Sequence, residues 1–179
     1  MKDKVINILA ISGSLKSNST NTNILRVISK IASQNVIINI FDGLDKLPHF
    51  NPGSTNDIES VNDFRRQLRV ADAVIFSTPE YAFGVPGVLK NALDWLVSSG
   101  ELNKKPIVAI SASPLYSGGD KALASLLLTL TALGSTMGAG SSLSIANIKS
   151  KMTDAGELSD DETISNLRLL LNGLLTLII

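Results

Sequence analysis

Residues 74–95 have the sequence VIFSTPEYAFGVPGVLKNALDW. The run Val74–Phe76 is apolar and rich in β-branched and aromatic side chains, which predicts a fully buried strand. Pro79 ends this strand because it has no N–H to donate, and Pro86 suits the first position of a helix. A strand, a loop and a helix in this order predict that residues 80–85 lie outside the carboxyl end of a strand, where ligands bind in α/β sheets.

The rest of the chain repeats this alternation of strands and helices. Further strands are predicted at Val5–Ile11, Val36–Phe41, Ile107–Ser111 and around Ser141–Ile145. Further helices are predicted after Thr22, at Asp57–Val70, at about Lys121–Leu133, and from a capping box at Ser159–Glu162 to near Ile179. This pattern predicts one α/β domain over residues 1–179, a doubly wound parallel sheet of five strands in the flavodoxin-like order 2-1-3-4-5 with helices on both faces.

Composition excludes several classes of function. The 179 residues have a formal net charge of zero, which argues against nucleic acid as a partner and against an acidic electron carrier. The absence of cysteine removes thiol catalysis and iron–sulfur clusters, and His49 is the only histidine, so no metal site is expected. No apolar run reaches the roughly 18–20 residues of a membrane span. We therefore expect a cytoplasmic protein with no membrane partner, in which His49 is a surface or packing residue.

A second polar loop follows the first strand. Residues 13–22 are rich in hydroxyl and amide side chains and precede an apolar helix. The N–H groups at the start of a helix favour an anion such as phosphate. The loop lacks the glycine and lysine pattern of a P-loop and the G-x-G-x-x-G of dinucleotide sites, so it suits a monophosphate such as that of FMN. An ordinary cluster of helix-capping residues is the alternative.

Two motifs carry a resemblance to a known family. GSLKSNSTN at residues 13–21 and PEYAFGVPGVLKNALDW at residues 79–95 resemble the NAD(P)H-dependent FMN reductases, which include quinone, chromate and azo-dye reductases. The family patterns are roughly GSLR-x-G-S-x-N and PEYN-x-x-x-PG-x-LKNA-x-DW. The resemblance implies a flavodoxin-like enzyme that binds FMN and takes electrons from NADPH or NADH. It implies a ping-pong cycle, in which the nicotinamide leaves before a small acceptor such as a quinone or a flavin enters, and a homodimer or homotetramer.

The resemblance also implies which residues hold the flavin. The phosphate is expected on Ser14, Lys16, Ser19, Thr20 and Asn21. One side of the pocket is expected to present Pro79, Glu80, Tyr81, Ala82 and Phe83 to the ring. The other side is expected to be the loop that contains Ser113, Gly118 and Gly119, whose glycines would let the backbone approach a flat ligand. No side chain is expected to be catalytic, because the flavin carries the redox chemistry.

Three positions leave questions open. Lys16 stands where the family usually has arginine, which keeps the charge but loses the planar fork that binds phosphate. Ala82 stands where the family usually has asparagine. Glu80 has two competing roles, one at the flavin and one as an anchor for the amides of its own loop.

Other functions remain as alternatives. A flavodoxin-like electron carrier would share the fold and the flavin but would not oxidise NAD(P)H rapidly. A non-enzymatic α/β module would have lost the flavin. A serine hydrolase fits poorly, because there is no G-x-S-x-G motif and His49 alone could serve as a base.

Overall fold

The computed structural model describes residues 4–53 and 58–178. Its strands are β1 (Ile6–Ser12), β2 (Val36–Phe41), β3 (Ala73–Thr78), β4 (Ile107–Ala112) and β5 (Ser142–Ile145). They pair in parallel in the order β2-β1-β3-β4-β5. The helices are α1 (Thr20–Ile31), α2 (Glu59–Val70), α3 (Gly87–Asp94), α4 (Asp120–Ala132) and α5 (Asp161–Thr176). The predicted flavodoxin-like strand order is confirmed.

The sheet lies between two layers of helices. Every residue of β3 is buried, as predicted for a central strand. Successive side chains of a strand point to opposite faces. Val74 and Phe76 accordingly pack in a cluster with α2, α3 and α4, whereas Ala73 and Ile75 pack with α1 and α5. Helices α1 and α3 therefore lie on opposite faces, so a crevice opens at the carboxyl ends of β1 and β3 where the strand order reverses.

Two predicted helix starts are wrong in detail. Pro86 precedes α3 as its capping residue and does not occupy the first helical position. Asp160, rather than Ser159, caps α5, because its carboxylate accepts the N–H of Thr163 at 2.9 Å. The hydroxyl of Ser159 instead donates to the carbonyl of Lys151 at 3.2 Å, which turns it away from the helix.

The loop after β2 contains one short helical turn at Leu44–Lys46. Residues 54–56, the predicted helix start at Asp57 and the terminal Ile179 lie outside the described residues. Within residues 4–53 and 58–178, no helix combines the length and the apolar character needed to cross a membrane.

Candidate active site

Hydrogen bonds join the polar loop after β1 to the ends of β3 and β4. The N–H of Gly13 donates to the carbonyl of Ser77 at 2.8 Å. The side chain of Asn21 accepts the hydroxyl of Ser77 at 2.9 Å and donates to the carbonyl of Ala112 at 3.4 Å. Asn21 is buried and its amide is engaged by these partners, and its backbone N–H lies in the first turn of α1, where it has no partner within the helix.

A cavity of about 130 Å³ opens at the start of α1. Its lining combines hydroxyl, amide and ammonium groups with aromatic and apolar ones, and the described residues that form it are Ser14, Lys16, Asn18, Ser19, Thr20, Asn21, Pro79, Tyr81, Ala112, Pro114, Ile148 and Lys149. These include two lysines and no carboxylate. The cavity thus has the charge and the donors of an anion site.

The start of α1 strengthens this character. Ser19 occupies the capping position, but its side chain makes no capping hydrogen bond. The first turn of α1 also has no acidic residue. The first N–H groups of a helix have no partner within the helix and carry a partial positive charge. An anion bound beside Thr20 would therefore be stabilised by backbone groups as well as by side chains.

Side-chain hydrogen bonds hold the polar loop in place. The hydroxyl oxygen of Ser12 accepts both the hydroxyl of Thr22 at 2.8 Å and the N–H of Ser14 at 3.4 Å. The amide of Asn23 donates to that of Asn18 at 3.2 Å. These contacts fix both ends of the loop against α1, so binding would cost little ordering of the chain.

The loop after β3 is a tight two-residue turn. The backbones of Tyr81 and Gly84 exchange two hydrogen bonds of 3.0 Å. Ala82 and Phe83 lie between them with φ angles of 49° and 62°, in the left-handed region. Asparagine adopts this region more readily than alanine. The Asn of the family pattern would therefore relieve backbone strain here, in addition to any contact it makes. The turn presents Phe83 with 78% of its surface exposed.

Glu80 anchors this turn to another element. Its Oε2 accepts the backbone N–H of Ala122 at 3.0 Å, in the first turn of α4. A carboxylate is favourable at this end of a helix. The predicted anchoring role is thus found, but the partner is α4 and not the amides of the loop itself, which corrects the sequence interpretation.

The two glycines before α4 allow close packing between loops. Gly118 and Gly119 have φ angles of 65° and 81°. A Cβ on Gly118 would lie 3.0 Å from the backbone nitrogen of Ala146, and a Cβ on Gly119 would lie 3.4 Å from the Cβ of Glu80. Their lack of a side chain therefore allows close contacts within the protein, and their predicted approach to a flat ligand stays a prediction.

Ser113 supports the start of the same loop. Its N–H donates to the carbonyl of Ile145 at 3.1 Å, and its Oγ accepts the N–H of Leu115 at 3.2 Å. The side chain is buried. Ser113 thus joins the end of β4 to the end of β5 and shapes the loop on which Gly118 and Gly119 lie.

Two residues of the KNALDW segment hold the loop after β2. Asn91 donates to the carbonyl of Pro48 at 2.9 Å and accepts the N–H of Phe50 at 2.7 Å. The indole N–H of Trp95 donates to the same carbonyl at 2.9 Å, and its ring meets that of Phe50 edge to face at 5.1 Å. His49 stands between Pro48 and Phe50 in the chain and is exposed, as predicted.

Comparison with known proteins identifies the family. Residues 6–149 match the family of NADPH-dependent FMN reductases. The chain belongs to this family. An NAD(P)H-dependent FMN reductase of Pseudomonas aeruginosa is 36% identical over 132 residues, which are 72% of this chain and 71% of the relative. A quinone reductase of Escherichia coli is 31% identical over 119 residues, which are 64% of this chain and 63% of the relative.

A solved structure extends the likeness to nearly the whole fold. FerB, a flavoenzyme NAD(P)H:(acceptor) oxidoreductase from Paracoccus denitrificans, superposes with a TM-score of 0.84 at 27% identity and covers 97% of each chain. The predicted oxidoreductase class, with FMN as cofactor and NADH or NADPH as electron donor, is confirmed.

The donor set of the reductase fits a flavin mononucleotide. Ser14, Lys16, Ser19, Thr20 and the backbone of Asn21 offer hydroxyl, ammonium and N–H donors to the cavity at the start of α1. The cavity is too small for a whole FMN molecule but suits its phosphate end. The loops that carry the remaining predicted residues flank the same edge of the sheet, so a ring lying outside the cavity would meet them.

Sequence reasoning missed part of this lining. Asn18, Ala112, Pro114, Ile148 and Lys149 line the cavity but were not among the predicted residues. Lys149 was open to prediction, because it is the fourth residue after the fifth strand, whose carboxyl end lies at the same edge of the parallel sheet. Polar residues after every strand, and not only after the first, third and fourth, were therefore candidates.

A larger cavity lies on the other side of the loop after β1. It has a volume of about 370 Å³ and is bordered by Ser12, Thr22, Arg26, Asp42 and Asp45, among others. Its two carboxylates would repel a phosphate, in contrast to the smaller cavity with its two lysines. Size alone therefore does not locate the phosphate site.

Proposed function

We propose that this reductase holds FMN across the carboxyl ends of β1, β3 and β4 and transfers electrons from NAD(P)H to small planar acceptors such as quinones. The observation that supports this most is the cavity at the start of α1, where two lysines and several hydroxyls meet with no carboxylate among the lining residues. Cationic and hydroxyl donors beside the free N–H groups at the start of a helix favour phosphate binding. When bound, FMN supplies the exchange of a hydride with the nicotinamide and of electrons with the acceptor.

The chain itself would bind and orient the reactants. Ser14, Lys16, Ser19, Thr20 and the N–H of Asn21 would hold the phosphate, and the backbone from Pro79 to Phe83 would border one side of the ring. The loop from Ser113 to Gly119 would border the other side. Glu80 would act as a positioning residue, since its bond to Ala122 ties the two loops together.

The rim of the site supports an aromatic acceptor. Four large side chains with apolar surface are exposed on the two loops, namely Tyr81, Phe83, Leu115 and Tyr116. Phe83 is 78% exposed and Tyr116 is 88% exposed. Planar quinones and flavins stack on such rings, whereas charged acceptors would gain little from them.

The exposed rim also supports the proposed assembly. Apolar side chains that remain exposed in one chain are commonly covered in a homo-oligomer. We propose a homodimer or homotetramer of single-domain chains spanning residues 1–179, located in the cytoplasm and without nucleic-acid or membrane partners. Light scattering of the purified protein measures the assembly, and a monomer at micromolar concentration would contradict it.

The function is tested by a visible spectrum under anaerobic conditions. The protein is mixed with FMN, freed of excess flavin, and recorded before and after addition of NADPH or NADH. We expect a bound flavin spectrum that bleaches within seconds and returns when a quinone is added. A bound flavin that neither nicotinamide bleaches would favour the electron carrier. Absence of bound flavin would contradict the assignment of this site.

A further inference from the structure

Lys149 lies at the phosphate cavity although it is far in sequence from the loop after β1. It belongs to a short helical turn, Ile148–Lys151, that follows β5. It lines the cavity together with Lys16, Ser14, Ser19 and Thr20. Lys16 and Lys149 therefore line the same cavity from two separate elements.

The backbone that carries Lys149 is fixed. The N–H of Ile148 donates to the carbonyl of Ser113 at 3.1 Å, and that of Asn147 donates to the carbonyl of Leu115 at 3.1 Å. The side chain of Ile148 is buried in the core. Asn147 has a φ of 52°, which reverses the chain after β5. The position of Lys149 is thus set by the loop that borders the proposed flavin ring.

The charge on Lys149 has no partner among the described residues. Its neighbour Lys151 lies 3.4 Å from the carboxylate of Asp160 and donates to Thr163 at 3.1 Å. For Lys149, no salt bridge forms within residues 4–53 and 58–178. Asp154 borders a neighbouring cavity that Lys149 also lines, but the two groups do not pair. Two lysines that face one cavity without a carboxylate repel each other unless an anion lies between them.

We propose that Lys149 is a phosphate-binding residue that acts with Lys16 on the phosphate of FMN. This inference rests on the proposed function. It also accounts for lysine at position 16, where the family usually has arginine. Lys16 alone offers one point charge, whereas two ammonium groups match the nearly doubly charged phosphate at neutral pH.

The test compares FMN with riboflavin, which has the same ring but no phosphate. Dissociation constants are measured from the quenching of flavin fluorescence for wild type, Lys149→Ala, Lys149→Arg and the control Lys30→Ala. Lys30 is exposed at the end of α1, away from the cavity, and its removal changes the net charge equally. We expect Lys149→Ala to weaken FMN binding by roughly tenfold or more, and to leave riboflavin binding unchanged.

The remaining variants test whether a loss of FMN affinity comes from the charge at position 149 or from a general change in the protein. Lys149→Arg should keep most of the affinity for FMN, and Lys30→Ala should behave as wild type. Unchanged FMN binding by Lys149→Ala, or equal losses for FMN and riboflavin, would overturn the role of Lys149 while leaving the proposed function intact. A wild-type protein that binds neither flavin would overturn the proposed function and the inference together.

Discussion

The carboxylate of Glu80 accepts the backbone N–H of Ala122 at 3.0 Å, across 42 positions of sequence. This bond links the turn after β3 to the first turn of α4, and thereby joins two segments that border the proposed flavin ring. Gly119 lies in the same contact, since a Cβ there would lie 3.4 Å from the Cβ of Glu80.

Loss of the hydrogen bond between Glu80 and Ala122 should act mainly on the stability of the fold, and less on the affinity for flavin. We expect Glu80→Ala to reduce the free energy of unfolding by about 1–2 kcal/mol, because the N–H of Ala122 loses its partner. Glu80→Gln keeps an acceptor oxygen and should lose about half as much. Urea unfolding of the FMN-free protein measures both. An Ala variant as stable as wild type that no longer binds FMN would instead place Glu80 at the ring.

The turn at Ala82 and Phe83 should tolerate glycine better than alanine. We expect Ala82→Gly and Ala82→Asn to raise the free energy of unfolding by about 0.5–1 kcal/mol, because Ala82 has a φ of 49°. The control is Ala124→Gly, an exposed position inside α4, which should lower it by about 1 kcal/mol. Changes of opposite sign in the free energy of unfolding at the two positions would support the left-handed turn. A decrease in that free energy at both positions would contradict it.

Asn91 should hold the loop after β2. Asn91→Ala removes the acceptor of the Phe50 N–H and one of the two donors to the carbonyl of Pro48, and we expect the free energy of unfolding to fall by about 1–3 kcal/mol. Faster proteolysis within residues 48–53 should accompany it. Asn91→Asp retains the acceptor for Phe50 and should protect the loop better than alanine. Equal proteolysis rates for wild type and Asn91→Ala would show that the loop does not depend on this clamp.

Arginine at position 16 should bind the phosphate more tightly. Lys16→Arg restores the planar fork of the family pattern, so we expect the affinity for FMN to rise by about threefold to tenfold with no change for riboflavin. Lys46→Arg, the same change at an exposed position on the 44–46 turn, serves as the control. A weaker affinity for FMN in Lys16→Arg would mean that Lys149 and the N–H groups already fill the space around the phosphate.

Acid should loosen the start of α5. Hydrogen bonds from the hydroxyl and the N–H of Thr163 hold the pKa of Asp160 below its usual value of 3.8. A carboxyl group with a lowered pKa in the folded state contributes stability above its unfolded pKa, and that contribution is lost as pH falls from 3.8 through the folded pKa. We expect Asp160→Asn to flatten the fall in unfolding free energy below about pH 4. Asp161→Asn removes the same charge one residue later and should leave the decrease in unfolding free energy unchanged. Equal effects of the two variants would mean that net charge, and not the cap of α5, causes the decrease.

The local patterns of the sequence determined the order of the strands and helices, the buried central strand and the two loops that meet at one edge of the sheet. Burial of Val74 and Phe76 follows from their apolar side chains, and parallel strands place their carboxyl ends together. Sequence motifs also sufficed to place the chain among the FMN reductases.

Only the tertiary structure decided which side chains meet across the site. Three features join residues that are distant in the chain. They are the hydrogen bond between Glu80 and Ala122, the packing of Gly118 against Ala146, and the cavity that Lys16 and Lys149 both line. Such contacts depend on how helices and loops pack on the sheet, and that packing involves the whole core. A pattern of neighbouring residues records the conformation of its own segment but not the partner that folding brings to it.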